Sequence, residues 1–424
     1  MFWRNWLAQR AIAMVVQLTP LLALSASAQQ PQLFPAAHWE IKAPADVGLN
    51  ADLLERFATN VGGDGCIVRD GYLIKSWGEC ERHKDWASAA KPVLSTLLLL
   101  AVQEGKIASV DAPLRDLGWE LSAKDASMTF RHLANMVSGY ALEEPPGAAW
   151  GYNDYAIQLY ARSLEKLFDA SLDDVFRARM KSLQFEDGEF FASRDGAGVT
   201  ASPRDLARLG WLWLNRGQWA DVQVLERQLF DACFQVGVST DTPHAVSRIN
   251  DYLKIGSYGG GTTQTPSGPG VYGFNLWFNS VLESGERVWP ALPADAYQAN
   301  GMWNRDTLTV IPSWNMVIAA RGAKPGKFEP GIPQGQYNQN LKLIADAVGG
   351  QGPNASQSTE KAGELLPIDL KLFGSCISHW RNLRDENRFI QVEAHQPAYS
   401  APQVRDLQVT APCGNTAVLR QFMP

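Results

Sequence analysis

The sequence predicts a mixed α/β (α+β) fold in which an antiparallel sheet, flanked by terminal helices, is interrupted by a mainly helical insertion. Three observations predict it. Strand patterns occur toward both ends of residues 29–348, and helical patterns fill the middle. A hydrophobic content of 46% with 15 Trp is enough for one large core. Strands distant in sequence must meet to share a sheet, and the chain then leaves that sheet and returns to it around a helical layer.

The first residues carry Arg4 and Arg10, then the apolar stretch 11–24, then Ala26-Ser27-Ala28 before Gln29-Gln30. This is the layout of a cleavable secretory signal over 1–28, with cleavage near Ala28. Gln17 and Pro20 interrupt a segment already too short to span a bilayer, and no later stretch is long enough. The mature chain is therefore expected to be periplasmic or secreted, with no stable membrane span. Losing both arginines takes the net charge from −6 to −8, and no basic block remains, so nucleic acid is not an expected partner.

Asn50 is placed to cap a helix over 51–61, after which 66–77 reads as two strands joined by Asp70-Gly71. Helical patterns dominate from Ser88 to Leu214, including Thr129–Val137, Asp154–Leu167, Ser171–Leu183 and Pro203–Leu214. Strands return at Val271–Phe278, Arg287–Leu292, Thr307–Ile311 and Met316–Arg321, followed by a last amphipathic helix at Tyr337–Val348. Residues 349–366 have linker composition, and 367–424 form an extension of unknown role.

Most Trp residues, Trp211 and Trp213 among them, fall at apolar-periodic positions and are expected in the core rather than in a carbohydrate-stacking face. Five cysteines are too widely spaced for a compact zinc pattern, and the six His form no H-x-x-x-H pair. Neither a metal nor another cofactor is expected. The odd count leaves a thiol free; Cys66 with Cys80 and Cys376 with Cys413 are the candidate pairs.

Chemistry is concentrated at Ser88-Ala-Ala-Lys91, which opens an apolar run from Pro92. A serine hydroxyl is a weak nucleophile until a base takes its proton, and Lys91 stands one helical turn on. The spacing alone is weak, because on the order of one chance match is expected in such a chain. Ser163-x-x-Lys166 reads as a solvated helix face, and Ser358-x-x-Lys361 as linker. Only Ser88 precedes a helix that is apolar nearly all round, so that its N-terminal N–H groups would aim at a fixed point. Pro92 must then fall in the first turn, which starts the helix close to Ser88.

A second candidate is Trp150-Gly-Tyr152-Asn-Asp154-Tyr-Ala at a helix start. A tyrosine near a lysine has its phenolate favoured by the positive charge and can exchange a proton with the serine or a leaving group. Asp154 would cap the helix and hold Lys91 charged. The alternative is an aromatic packing turn with an N-cap Asp.

Trp86-x-Ser88-x-x-Lys91, Glu104-Gly-Lys-Ile with Asp111-Ala-Pro-Leu, Thr129 to Gly139, and Pro-Gly-x-x-Trp-x-Tyr152-x-Asp154 together resemble successive landmarks of the β-lactamase-related serine hydrolases. That group contains class C β-lactamases, D-Ala-D-Ala carboxypeptidases, family VIII esterases and 6-aminohexanoate-dimer hydrolases. The resemblance covers Val47 to Val348 and implies the β-lactamase/transpeptidase-like fold. It also implies that Ser88 is acylated, that Lys91 assists proton removal and that Tyr152 serves as base and then acid. Asp154 stands where the family has Asn; a carboxylate there would favour Tyr152 over Lys91 as the base. A shifted register puts Asn153 in that position, with Tyr155 as the fallback tyrosine. The family's third landmark, a strand with Lys-Thr-Gly or His-x-Gly, corresponds to Tyr297–Pro312, with Asn300-Gly301 at its centre. The oxyanion would then lie on the N–H groups of Ser88 and Met302.

These residues point to an exported serine hydrolase acting on a small-molecule ester or amide, or on a peptidoglycan-like substrate. With no Lys or His in the third landmark, a carboxylesterase or amidase fits better than a β-lactamase. The alternative is a catalytically silent, penicillin-binding-like scaffold or binding protein of the cell envelope.

Overall fold

The computed structural model describes residues 32–188, 198–246, 248–262, 268–324 and 336–349, with the backbone of 391–394, 404–410 and 416–422. The expected signal segment 1–28, residues 350–366, Cys376 and Cys413 lie outside the described residues. The chain divides into two compact units, Met1–Ala355 and Ser356–Pro424.

Helix α1 (Ala51–Val61) begins at Asn50, whose side chain accepts the Leu53 N–H. Strands β1 (Asp64–Arg69) and β2 (Tyr72–Trp77) form a hairpin whose turn residues Asp70 and Gly71 both have positive φ, matching the twist of the strands. A short strand β3 (Lys84–Asp85) leads to helices α2 (Lys91–Gln103), α3 (Phe130–Ala134), α4 (Asp154–Phe168) and α5 (Leu172–Arg179). Strand β4 (Thr200–Ala201) returns to pair with β3 and runs into α6 (Pro203–Leu214). The ribbon β5 (Gln218–Trp219) and β6 (Val222–Gln223) and helix α7 (Arg227–Cys233) come next. The chain then supplies β7 (Tyr272–Gly273), β8 (Leu276–Phe278), β9 (Tyr297–Gly301), β10 (Asp306–Ile311), β11 (Met316–Arg321) and helix α8 (Gln336–Gly349).

These strands build one seven-stranded antiparallel sheet in the order β2-β1-β11-β10-β9-β8-β7. The two ends of the chain meet where β1 pairs with β11, with Ile67 opposite Ile318. One face carries α1 and α8: Tyr337 Oη is 2.6 Å from Thr309 Oγ1, and the Phe57 ring meets Tyr337 edge-on. The other face carries α6, which approaches so closely at Gly210 that a Cβ there would lie 2.7 Å from Val317. This is the mixed α/β architecture of the β-lactamase/transpeptidase-like fold. In the second unit, β12 (Gln391–Ala394), β13 (Val404–Thr410) and β14 (Thr416–Phe422) form a three-stranded antiparallel sheet.

Four expectations are corrected. The strand expected over Val271–Phe278 is two strands, because Phe274 and Asn275 take positive φ and turn the chain back on itself. Arg287–Leu292 is not a strand: Pro290 has no N–H to give a ladder, and the Asn279 side chain bonds Trp289 N and the carbonyls of Trp289 and Leu292 instead. Ser163 is buried rather than solvated, donating to Leu159 O and accepting from Trp119 Nε1. Cys66 and Cys80 are free thiols and not a disulfide; a hydrogen bond between them, followed by burial, pushes the Cys66 thiol up. Trp86, Trp150, Trp211 and Trp213 are fully buried, as core packing requires. Among the described residues no helix is long and apolar enough to cross a membrane, and no group of three or more His, Cys, Asp or Glu is placed to hold a metal.

Candidate active site

Ser88 lies in a single 3-10 turn, Ala87–Ala90, that runs directly into α2. The turn is held on its entry side by β3 and β4: Trp86 N donates to Val199 O and Trp86 Nε1 to Ala201 O. Asp85 accepts the Ala87 N–H at 2.8 Å. Ala87 itself has φ +48°, a left-handed conformation that a residue with a Cβ adopts only where its surroundings impose it.

Lys91 opens α2 with φ −55° and ψ −38°, helical despite the following Pro92, which occupies the first turn where no N–H is needed. Helical side chains lean toward the N-terminus, and the Lys91 ammonium accordingly reaches back to donate to Ser88 Oγ at 2.6 Å. Every residue from Lys91 to Ala101 is buried, so the amine is held inside the protein with 1% exposure.

Helix α4 supplies the opposite wall. Its N-cap is Asn153, whose Oδ1 accepts the N–H groups of Tyr155 and Ala156 and whose Nδ2 donates to Tyr140 O. Asn153 is thereby committed to capping, and Tyr155 packs half-buried against the core. The register brought to Lys91 is the one with Asp154, whose Oδ1 is 2.8 Å from Lys91 Nζ. Tyr152 is buried, hydrogen-bonded to Ser88, and its ring centroid lies 4.7 Å from Lys91 Nζ. The ring is fixed by stacking on Trp277, a tilted contact with Trp150 and an edge contact with Tyr272.

The electrostatics differ from the expectation that Lys91 favours a Tyr152 phenolate. Burial and then the negative charge of Asp154 push the Tyr152 hydroxyl well above its usual range, with the Ser88 hydrogen bond acting the other way. Asp154 thus pairs with Lys91 and at the same time holds Tyr152 as a neutral phenol.

The third wall is the end of β9. A Cβ on Gly301 would stand 2.6 Å from Trp86 O, 2.9 Å from Ala89 N and 3.1 Å from Ser88 N, so the strand can lie against the Ser88 turn only because the residue is glycine. Asn300 points away from this contact and accepts from Asn304 Nδ2 at 2.9 Å. Met302, Trp303 and Asn304 all have positive φ, forming a left-handed turn that leaves Met302 and Trp303 exposed. Ala299, two residues before Gly301 on the same face of β9, is fully buried.

One residue escaped the sequence reading. Tyr258 lies in the Gly-rich stretch Ser257-Tyr-Gly-Gly-Gly261, far along the chain from either helix, with no periodic pattern around it. Its ring centroid is 4.5 Å from Lys91 Nζ, and its hydroxyl donates to Ala87 O at 2.8 Å. Its N–H bonds Asp154 O, while Asp154 N bonds Gly261 O. An aromatic in a Gly-rich loop was the only signal.

The sequence profile of the family described as Beta-lactamase matches residues 76–320. No curated protein matches the chain. Among solved structures, a protein assigned as a 6-aminohexanoate-dimer hydrolase from Bacillus anthracis is 18% identical, with a TM-score of 0.52 over 75% of this chain and 89% of that one. A protein assigned as a β-lactamase from Bacteroides dorei is 14% identical, with a TM-score of 0.53 over 71% and 99%. A penicillin-binding protein homologue from Caulobacter crescentus is 12% identical, with a TM-score of 0.51 over 73% and 99%. At these identities the likeness is one of fold.

Proposed function

The chain belongs to the β-lactamase family, whose members are in general serine hydrolases, and from that premise we propose that it hydrolyses a neutral ester or amide through an acyl-enzyme on Ser88. The observation that carries this is the convergence of Lys91 Nζ, 2.6 Å away, and Tyr152 on the Ser88 hydroxyl, beside the end of β9 at Gly301.

In this reading Ser88 Oγ attacks the carbonyl carbon while its proton passes to Tyr152 Oη. The neutral phenol hands its own proton to the leaving oxygen or nitrogen, so one group acts as acceptor and donor together. Lys91, charge-matched by Asp154, stabilises the negative charge that develops on the two oxygens. The oxyanion is held by the N–H groups of Ser88 and Met302, each such donor contributing about 3 kcal/mol. Water then repeats the relay in reverse, releasing the acid and restoring Ser88.

A neutral substrate is favoured because Ala299, Asn300 and Gly301 put no cation on this strand to grip a carboxylate. The exposed Met302 and Trp303 at its end suit an apolar acyl or alcohol part. This supports a carboxylesterase or amidase over a β-lactamase. We also propose export, on the layout of residues 1–28, which N-terminal sequencing of the mature protein would check by a start at Gln29.

The test is a fluorophosphonate probe with the purified protein: labelling at one serine is expected, and none in Ser88→Ala. Labelling that persists in Ser88→Ala sinks the assignment. No labelling of folded wild-type protein would leave a binding or scaffolding protein in its place. Turnover of a neutral p-nitrophenyl ester is expected to exceed that of a chromogenic β-lactam carrying a carboxylate.

A further inference from the structure

We infer that Tyr258 is a positioning residue for the reaction at Ser88, acting through the peptide group that links Ala87 to Ser88. The inference rests on the acyl-enzyme reading above and adds to it a residue outside the serine, lysine and tyrosine of the two helix starts.

The Tyr258 hydroxyl donates to Ala87 O at 2.8 Å. That carbonyl belongs to the same planar unit as the Ser88 N–H, because the peptide bond holds C=O and N–H in one plane and, in the trans form, on opposite sides. Fixing the oxygen therefore fixes the direction of the N–H assigned to the oxyanion. A hydrogen bond to the oxygen also polarises the peptide and makes its N–H a stronger donor, as in any hydrogen-bonded chain of amides.

The need for such an anchor is visible in the backbone. Ala87 has φ +48°, and the conformation is set by the Asp85 bond to Ala87 N on one side and the Tyr258 bond to Ala87 O on the other. Both polar groups of the strained residue are thus held from outside the turn. Tyr258 is itself 3% exposed and held in turn by its N–H bond to Asp154 O at 3.0 Å, while its ring packs against the Lys91 ammonium. A single residue from a distant loop therefore connects the nucleophile's peptide group and the lysine through its side chain, and the start of α4 through its backbone N–H.

Tyr258→Phe keeps the ring beside Lys91 and removes only the donor. The expected result is a fall in kcat for a neutral p-nitrophenyl ester of about tenfold with KM little changed, since the lost interaction acts on the oxyanion and not on ground-state binding. Affinity for a phenylboronic acid, whose tetrahedral adduct places an oxygen in the same site, is expected to fall by a similar factor. Equal kcat and equal boronate affinity in a variant that melts with the wild type would overturn the inference and leave Tyr258 a packing residue. If Tyr258→Phe does not fold, 3-fluorotyrosine incorporated at position 258 gives a more acidic donor of nearly the same size. A raised rate then supports the role, and an unchanged rate overturns it. Wild-type protein that neither labels with fluorophosphonate nor turns over the ester overturns the acyl-enzyme reading and this inference with it. Normal labelling with an indifferent Tyr258→Phe overturns this inference alone.

Discussion

Gly301 shows how closely the candidate site is packed. The missing side chain is what lets β9 lie against Trp86 O, Ala89 N and Ser88 N, all of them backbone atoms that cannot rotate aside. Gly301→Ala is therefore expected to push the nucleophile turn off the strand end. Fluorophosphonate labelling should fall at least tenfold while thermal melting moves by only a few degrees, because the strand's ladder to β10 is unaffected. Labelling at the wild-type rate would show that the turn is not braced as described. Asp154 acts at the same scale through charge. Its carboxylate raises the Tyr152 hydroxyl, so Asp154→Asn lowers it toward the ordinary phenol range. If the neutral phenol is the working form, activity is lost as pH rises through that value. The high-pH limb of the rate profile should then begin at lower pH in Asp154→Asn than in the wild type, and a limb that stays put would count against the neutral relay.

Elements are locked to one another around the site by a polar brace at the far end of the β1–β11 pair. Asp64 stands opposite Arg321, and its carboxylate accepts from Glu79 N at 2.7 Å, Arg321 Nη2 at 2.5 Å and Lys84 Nζ at 3.2 Å. The Arg321 guanidinium also lies 5.9 Å from the Trp86 ring, so the brace reaches the segment that enters the Ser88 turn. Burial by itself raises the Asp64 carboxyl, but the Glu79 N–H, Arg321 and Lys84 together outweigh it and hold it below the usual value. A folded-state value below the unfolded one means that the contribution is present above the ordinary carboxylate range and lost as pH falls through it. Asp64→Asn is expected to cost about 1–3 kcal/mol at neutral pH. Wild-type and variant denaturation midpoints should converge on acidification, and a gap of constant size from pH 7 to pH 3 would assign the cost to shape and not to charge.

At the scale of the whole molecule, the sheet closes only because the first hairpin and the last strands pair, which brings residues at both ends of the 76–320 family region into one layer. Every contact described among Ser88, Lys91, Tyr152, Asp154, Tyr258 and Gly301 falls within Met1–Ala355, and the division from Ser356–Pro424 falls inside the stretch 349–366 that reads as linker. Ending the chain at Ala355 is accordingly expected to preserve both melting and probe labelling. Loss of labelling in that truncation would mean that the second unit supports the site.

Much of this was legible before the structure, for local reasons. The Asn50 cap, the Asp70-Gly71 turn and the limits of α6 follow from short-range rules of capping, periodicity and turn geometry, and they stand where those rules put them. The Ser88 to Lys91 spacing is local too, since one helical turn sets it. What stayed hidden depends on groups far apart in the chain. Only packing shows that Asn153 is used up as a cap while Asp154 reaches Lys91, that Phe274 and Asn275 fold a run of strand formers into a hairpin, and that the Asn279 side chain replaces a ladder over Arg287–Leu292. Sequence by itself determined the fold class and marked the residues proposed for acyl transfer, because periodicity and side-chain chemistry are properties of neighbours. Tertiary structure alone decided that the Tyr152 hydroxyl is held above its usual range and that Tyr258 holds the peptide group between Ala87 and Ser88, because burial, charge pairing and long-range hydrogen bonds exist only once distant segments have met.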